Sequence, residues 1–251
     1  MATFTTFANR LPDPTYSIGE DGSTSNSAVA GPGFKSVKFS SEQPTAISRT
    51  NSGRVITRAI VAHKWKVQIT YNPMTRDQFE PVYNFLLEKR GRLKPFFVAL
   101  PQHASTRTAT SGTISVSGSI TSGDNNFLID GMNSVTGGLR PGDMINFLDS
   151  GNSNHKKAYK IVRVHTSANK LASDSALDSS DERRLYVVPP IEKDVADNST
   201  LTYTNPLIRL FKPITPSFII GPLVPLYVAW FFYMIRFYFM PWILGYSVMG
   251  M

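Results

Sequence analysis

The clearest alternation of apolar and polar residues lies at positions 64–71. Every second position there is apolar or aromatic, and the positions between them are polar or charged. The apolar set is Trp65, Val67, Ile69 and Tyr71, and the polar set is Lys64, Lys66, Gln68 and Thr70. Because successive side chains of a strand point to opposite faces, this pattern predicts a half-buried β-strand with an aromatic inner face.

A helical pattern follows at positions 75–90. Thr75 stands three residues before Gln78, which is the spacing of a capping box, and Gly91 suits the position just after a helix. Apolar residues recur at helical spacing in between: Phe79, Val82, Tyr83, Leu86 and Leu87. We therefore predict one amphipathic helix over residues 75–90, although Pro81 disfavours a regular helix at that point.

Strand patterns dominate the next hundred residues. Phe96 and Phe97 belong to a short apolar run that Pro101 ends. From residue 105 onward, short apolar runs alternate with Gly and Asp turns, and in Gly142-Asp143 the carboxylate is expected to hydrogen-bond within the turn. Runs of this length and spacing predict a small β-barrel or sandwich over residues 105–200.

The two ends of the chain differ from its middle. Residues 1–53 are rich in Ser, Thr, Gly and Pro, and two interpretations remain open: a loose loop, or an extended N-terminal arm that orders on a neighbouring subunit. Residues 201–213 return to strand character, with Pro206 as a break. Residues 214–251 carry a single charge, Arg236, and no alternating pattern.

Three interpretations of this apolar C-terminal segment, 214–251, also remain open. It is buried in an assembly, it spans a membrane, or it is a reading-frame artefact. The stretch 218–235 has no charged residue and is long enough for a transmembrane helix. Its prolines and glycine weaken a straight helix, although membranes tolerate them.

Composition argues against catalysis. The 251 residues include no cysteine and four histidines, so thiolate chemistry is excluded and little material remains for a metal centre. No phosphate-binding glycine loop, HExxH or GxSxG motif occurs. We therefore expect no enzymatic activity, no catalytic, cofactor-binding or metal-binding residue, no cofactor and no small-molecule substrate.

The positive charge is mild for this length. Lys and Arg number 26 against 18 Asp and Glu, which gives a net charge of +8. Basic residues cluster near the strand at 64–71 and near the end of the helix, but no nucleic-acid-binding motif accompanies them. A solvated strand face and a capped helix end are the simpler interpretation, and weak attraction to DNA without sequence readout remains compatible with it.

Two stretches together resemble a known family. The segment from Trp65 through the helix to Pro101 is similar to the ring-forming domain of distal tail and minor tail proteins, which build baseplate rings in tailed bacteriophages. The turn Leu139-Arg140-Pro141-Gly142-Asp143 and the later Pro189-Pro190 resemble the β module that such proteins insert after that domain. The order and spacing of these motifs, over residues 54–212, carry the resemblance.

The resemblance implies a fold, and it assigns the residues that carry it. The implied fold is mainly β with one amphipathic helix: a tail-tube-like β-sandwich ring domain at 54–104 plus 201–213, and an inserted small β-barrel or sandwich module at 105–200. The family would continue with amphipathic strands where residues 214–251 stand. The residues of the motifs and their packing are Trp65, Tyr71, Phe79, Tyr83, Leu86, Gly91, Phe96, Phe97, Pro101, Gly142, Asp143 and Pro190.

The resemblance also implies a structural role in the virion. Such proteins close a homo-oligomeric ring, commonly a hexamer, that joins the tail tube to the baseplate or tail tip. The expected partners are the tail tube protein and baseplate hub proteins, with DNA passing non-specifically through the lumen. The expected locations are the virion tail and, during assembly, the host cytoplasm. The alternative is a membrane-anchored β-rich protein held by the C-terminal apolar segment.

Overall fold

A computed structural model describes residues 9–18, 29–59, 63–90, 93–149, 151–152, 155–172, 174, 177 and 179–210. This part of the chain is mainly β and contains a single α-helix, which confirms the predicted fold class at that level. The strands and the helix, in chain order, are β1 (Ser17–Ile18), β2 (Val29–Ala30), β3 (Phe34–Glu42), β4 (Thr45–Arg49), β5 (Val55–Ala59), β6 (Lys64–Tyr71), α1 (Arg76–Glu88), β7 (Phe96–Ala99), β8 (Ser115–Ser117), β9 (Asn126–Asp130), β10 (Met144–Leu148), β11 (Tyr159–His165), β12 (Arg183–Val188), β13 (Thr200–Thr202) and β14 (Leu207–Leu210).

Six of these strands form a closed barrel. Their order around it is β10, β11, β12, β9, β8 and β13, and every neighbouring pair is antiparallel. Closure gives each strand a neighbour on both edges, so the barrel has no open sheet edge. Of the two predicted alternatives for this segment, the structure shows the barrel.

The barrel is filled by its inward-facing side chains. Phe147 lies within an aromatic group, with its ring centroid 5.4 Å from that of Phe127 and 5.5 Å from that of Tyr159. Ile129, Ile145 and other aliphatic side chains complete the core. Burying each such side chain contributes roughly 1.5–3 kcal/mol, so the barrel contains a core of its own.

Outside the barrel, the described strands pair only two at a time. The pairs are β1 with β2, β3 with β6, β4 with β5, and β7 with β14, and all four are antiparallel. We call this part, together with α1, the ribbon region. Its core contains Ile69, Phe96 and Leu100, and it also includes Met144 and Ala158 from the barrel strands or their flanks. The two regions therefore share a packed boundary.

The helix packs through only part of the predicted apolar stripe. Val82 and Phe85 are its buried residues, and the Phe85 ring meets Phe96 edge-on at 5.5 Å. Tyr83 and Leu87, which were placed in the predicted apolar stripe, are 41% and 56% exposed. The predicted stripe was wrong on this flank because apolar residues cover both the inner face of the helix and part of its outer face.

The ends of the helix also differ slightly from the prediction. Its capping box is present, and Gln78 Oε1 accepts a hydrogen bond from Thr75 N at 3.4 Å. The helix ends at Glu88 rather than at residue 90, and Arg90 adopts a left-handed conformation with φ +48°. The predicted capping residue Gly91 lies outside the described residues.

The predicted N-terminal arm is largely built into the ribbon region. Strand β3 pairs with β6 along its whole length, from Phe34 opposite Tyr71 to Glu42 opposite Lys64. Nearer the N-terminus, Leu11 is buried and its N–H donates to the Phe97 carbonyl at 2.8 Å. The predicted boundary at residues 53/54 falls inside the turn of the β4–β5 hairpin.

The point at which the chain leaves the barrel also differs from the predicted boundary at residues 200/201. Strand β13 closes the barrel against β10 and β8, so residues 201–202 belong to the barrel and not to the ribbon region. Strand β14 then pairs with β7, after the break predicted at Pro206. The Asn146 side chain holds this return, because it accepts from Leu207 N at 2.7 Å and donates to the Leu207 carbonyl at 3.0 Å. The interpretations of 214–251 concern residues outside the described part.

Candidate assembly surface

Trp65 connects the ribbon region to the barrel. Its ring stacks on Phe39 at 4.8 Å, and its indole N–H donates to the Ala158 carbonyl at 2.9 Å. Ala158 directly precedes barrel strand β11. The half-buried position of Trp65 on the inner face of β6 agrees with the predicted alternation.

Tyr71, Phe96 and Phe97 lie deeper in the ribbon region. Tyr71 is 2% exposed, meets the Phe34 ring edge-on at 5.4 Å, and burial raises its pKa. Phe96 is buried against the helix. The Phe97 backbone is held on both sides, since it pairs with Arg209 of β14 and its N–H donates to the Asn9 carbonyl at 2.8 Å. Tyr71 and Phe96 thus belong to one core that joins β6 and β7, and Phe97 contributes through its backbone.

The remaining ribbon-region motif residues lie nearer the surface. Phe79 is stacked on Tyr83 with their ring centroids 5.1 Å apart, and Leu86 packs partly buried against the core. Pro101 is exposed and begins a short 3-10 turn, Pro101–His103, directly after β7. The motif therefore contains both core residues and residues of an outer helix face.

The Gly142-Asp143 turn stabilises the start of the barrel segment through hydrogen bonds to the Asp143 carboxylate. Asp143 is 3% exposed, and its carboxylate accepts hydrogen bonds from Arg140 N and Arg107 N, both at 2.8 Å. Gly142 has φ +104°, a left-handed conformation that favours glycine. The predicted turn hydrogen bond is confirmed, and the link to Arg107, 36 residues away, was not foreseen.

Pro190 lies apart from the other motif residues. It lines an open cavity of about 270 Å³ on the barrel, together with Tyr186, Val188 and Gln43. The cavity wall carries few polar groups for ligand recognition. The predicted residues therefore fall in three places: the ribbon-region core with its helix, the turn at Asp143, and this side of the barrel.

Sequence reasoning missed the most exposed apolar element, the hairpin formed by β4 and β5. The side chains of residues 45–49 and 55–58 are exposed, and the large apolar ones among them are Ile47, Val55 and Ile56. The turn is closed by Thr50 N, which donates to the Arg54 carbonyl at 3.0 Å, and by Gly53 at φ +81°. The signal was present, since short alternating runs flank a Ser-Gly turn, but the polar composition obscured it.

Positive charge is concentrated on the β3–β6 segment. Residues 34–71 contain seven Lys and Arg and a single acid, Glu42, which is a net charge of +6. Glu42 pairs with Lys66 at 2.8 Å, and this hydrogen bond lowers the pKa of the Glu42 carboxyl. Lys38, Lys64 and Lys66 are exposed on the outer face of the β3–β6 ribbon. One face of the ribbon region is therefore basic.

A buried histidine, His155, lies in the loop between β10 and β11. His155 is 2% exposed, and its Nε2 lies 2.7 Å from the Tyr159 hydroxyl. The same hydroxyl accepts a hydrogen bond from Glu192 N at 2.9 Å. Burial lowers the pKa of His155, so the neutral ring is favoured. This group stabilises the barrel interior.

Among the described residues, no group of three His, Cys, Asp or Glu side chains is arranged to hold a metal ion. Within the same ranges, no helix has the length and apolar character needed to cross a membrane. No protein-family model matches the chain, and a search of curated proteins finds no significant match.

Proposed function

We propose that this chain is a structural subunit of a bacteriophage tail, one copy of a closed ring that joins the tail tube to the baseplate or tail tip. The ordered motifs at residues 54–212 suggest this role. One structural observation carries it furthest: in the ribbon region, where most motif residues lie, the described strands pair only in twos, and β7 alone has a further bridge, to Arg10. Such ribbons are marginal by themselves and gain stability when neighbours cover their edges.

A ring of identical subunits would supply those neighbours. Strands β3 and β6 are nine and eight residues long, which is enough for extensive pairing with another chain. Rotational symmetry makes each contact heterologous, and closure of the ring prevents open-ended polymerisation. In this arrangement the barrel acts as a docking surface or spacer, and the basic β3–β6 face suits a lumen through which DNA passes.

Native mass tests the proposal. The full-length protein is measured by native mass spectrometry and sedimentation in mild detergent, with and without tail tube protein. We expect a discrete hexamer-sized species that appears as a ring by electron microscopy and turns over no small molecule. A single subunit at high concentration, even with tail tube protein present, would contradict the proposal.

A second function, membrane anchoring, is favoured by the uncharged stretch 218–235, which lies outside the described residues. It predicts that deleting residues 214–251 releases the protein from membranes. Extraction of the intact protein by salt alone would contradict it. In the mass measurement, this function predicts one subunit per detergent micelle instead of a ring.

A further inference from the structure

The β4–β5 hairpin exposes branched apolar side chains. Ile47 is 66% exposed and Val55 is 50% exposed, and the register places them on the same face of the hairpin. Ile56 is 52% exposed on the opposite face. An isolated two-stranded hairpin is at best marginally stable in water, and β-branched side chains stabilise strands chiefly by packing against a neighbour. The hairpin therefore has the properties of a segment that packs on a partner.

The helix α1 exposes a second apolar surface. Tyr83 and Leu87 stand four residues apart, so they lie on one face, and both are more than two-fifths exposed. Val82 and Phe85 already bury the inner face of the helix in the ribbon-region core. Within the described part of the chain, the Tyr83–Leu87 face is thus an additional apolar face that stays largely exposed.

The two surfaces carry opposite charge. The hairpin contains Arg49, Arg54 and Arg58 and no acidic residue. On the helix, Glu80 lies beside the Tyr83–Leu87 face, three residues before Tyr83, and Asp77 lies one turn before Glu80. Arg76 lies on the face itself, but over Arg76–Glu88 the helix carries three acidic residues against this one base. Glu80 is only partly neutralised, by an exposed pair with Arg76 at 3.2 Å. Apolar centres with opposite charges at their rims are the complementary pattern of a protein interface.

We propose that the hairpin of one copy packs, through Ile47 and Val55, on the Tyr83–Leu87 face of the next copy. This inference rests on the proposed ring and names its contact. Hairpin and helix are different surfaces of the same chain, so the contact is head-to-tail, and repeating it covers both surfaces in every copy once the ring closes. Arg49, which the register places on the same face as Ile47 and Val55, and Arg54 in the turn then face Glu80 and, one turn before it, Asp77.

Cysteine cross-linking tests the contact, because the natural chain contains no cysteine. Two double variants are made in the full-length protein, Ile47→Cys with Leu87→Cys, and Val55→Cys with Tyr83→Cys. A disulfide forms only when the two Cα atoms come within about 7 Å. After mild oxidation, we expect at least one double variant to give a ladder of linked subunits that ends at the ring size.

Matched controls separate this contact from chance collision. Leu148→Cys with Val162→Cys places two cysteines on the barrel at 64% and 51% exposure, close to the values for Ile47 and Leu87. We expect no ladder from this pair, and no dimers from the single variants Ile47→Cys and Leu87→Cys. Dimers from Ile47→Cys alone would mean that hairpins pair with each other, and they would overturn the head-to-tail contact.

Charge exchange gives an independent test. Arg49→Glu with Arg54→Glu is expected to weaken assembly by about tenfold or more, since close interfacial charge pairs couple at that level. Adding Asp77→Lys with Glu80→Lys is expected to restore most of the loss. An equal loss in the quadruple variant would overturn the pairing, provided that circular dichroism shows each variant folded.

The two proposals fail in different ways. A ring in the mass measurement without cross-links from either double variant would reject the hairpin–helix contact and leave the tail-ring function standing. One subunit at all concentrations would reject the ring and the contact together. Recovery of the hairpin bound to a different protein, with an intact ring that gives no ladder, would likewise reject the contact between copies.

Discussion

The barrel and the ribbon region pair their strands in different ways. In the barrel, six short strands close on themselves, and each has neighbours on both sides. In the ribbon region, longer strands such as β3 and β6 pair only with each other in the described part of the chain. Within the described residues, each barrel strand has a strand on both edges, whereas β3 and β6 each have a strand on one edge only.

The barrel and the ribbon region also differ in how completely they bury their apolar side chains. Barrel residues such as Ile145 and Leu185 are fully buried in one core. The ribbon region also has a core, but it exposes Ile47, Ile56 and Leu87. Large exposed apolar groups mark interaction surfaces when they occur together. The chain therefore joins a barrel with a fully buried core to a region that leaves several large apolar side chains exposed.

The largest expected effect is a difference in stability between the two regions when the same substitution, Ile→Ala, is made in each. Ile145→Ala in the barrel is expected to lower the free energy of unfolding by about 2–5 kcal/mol, because it leaves a cavity in a closed core. Ile56→Ala in the hairpin is expected to change it by about 0.5 kcal/mol or less, because the side chain is exposed. Urea titration of the dissociated subunit measures both. Equal losses of unfolding free energy would show that the Ile56 side chain is packed as tightly as Ile145.

The next effect concerns the junction between the regions. Asn146→Ala removes the side chain that holds Leu207 and also donates to the Lys157 carbonyl at 3.1 Å. We expect a loss of ~2 kcal/mol, because a half-buried backbone N–H at Leu207 is left without its acceptor. Calorimetry measures it, with the exposed Asn125→Ala as control. A loss no larger than that of the control would mean that the junction is held elsewhere.

A smaller effect is expected at Trp65. Trp65→Phe keeps an aromatic ring against Phe39 but removes the indole N–H that bonds the Ala158 carbonyl. We expect a loss of about 1 kcal/mol, the usual net value of one such hydrogen bond. Thermal unfolding provides the measurement. An unchanged melting temperature would show that the hydrogen bond contributes little to the contact between the regions.

The smallest expected effect is the change of folding stability with pH. Burial lowers the pKa values of His63 and His103 in the ribbon region and of His155 in the barrel. A lowered pKa in the folded state means that the unfolded chain binds more protons, so stability is full above about pH 6.5 and falls as the pH decreases below it. Urea titrations at neutral and mildly acidic pH test this. The dependence should be weaker in His155→Gln, and an unchanged dependence would assign it to other groups.

Much of the local structure could be predicted from short-range patterns of apolar, polar and capping residues in the sequence. The alternation of Trp65 through Tyr71 predicted β6, and the Thr75–Gln78 spacing predicted the start of α1. The inner face of the helix was less predictable, because Phe85, Tyr83 and Leu87 are all apolar and only packing decides which is buried. The same limit applies to Asp143, whose turn was foreseen but whose bond to Arg107 depends on a distant segment.

Local pattern alone determined the fold class, the single helix and most strands of the barrel, because period, turn residues and capping act over a few neighbouring positions. The tertiary structure decided that β13 closes the barrel, that β3 lies beside β6, and that the β4–β5 hairpin remains uncovered. Those outcomes depend on register and burial between residues far apart in the chain. Pattern within a segment carries no information about which distant segment will pair with it.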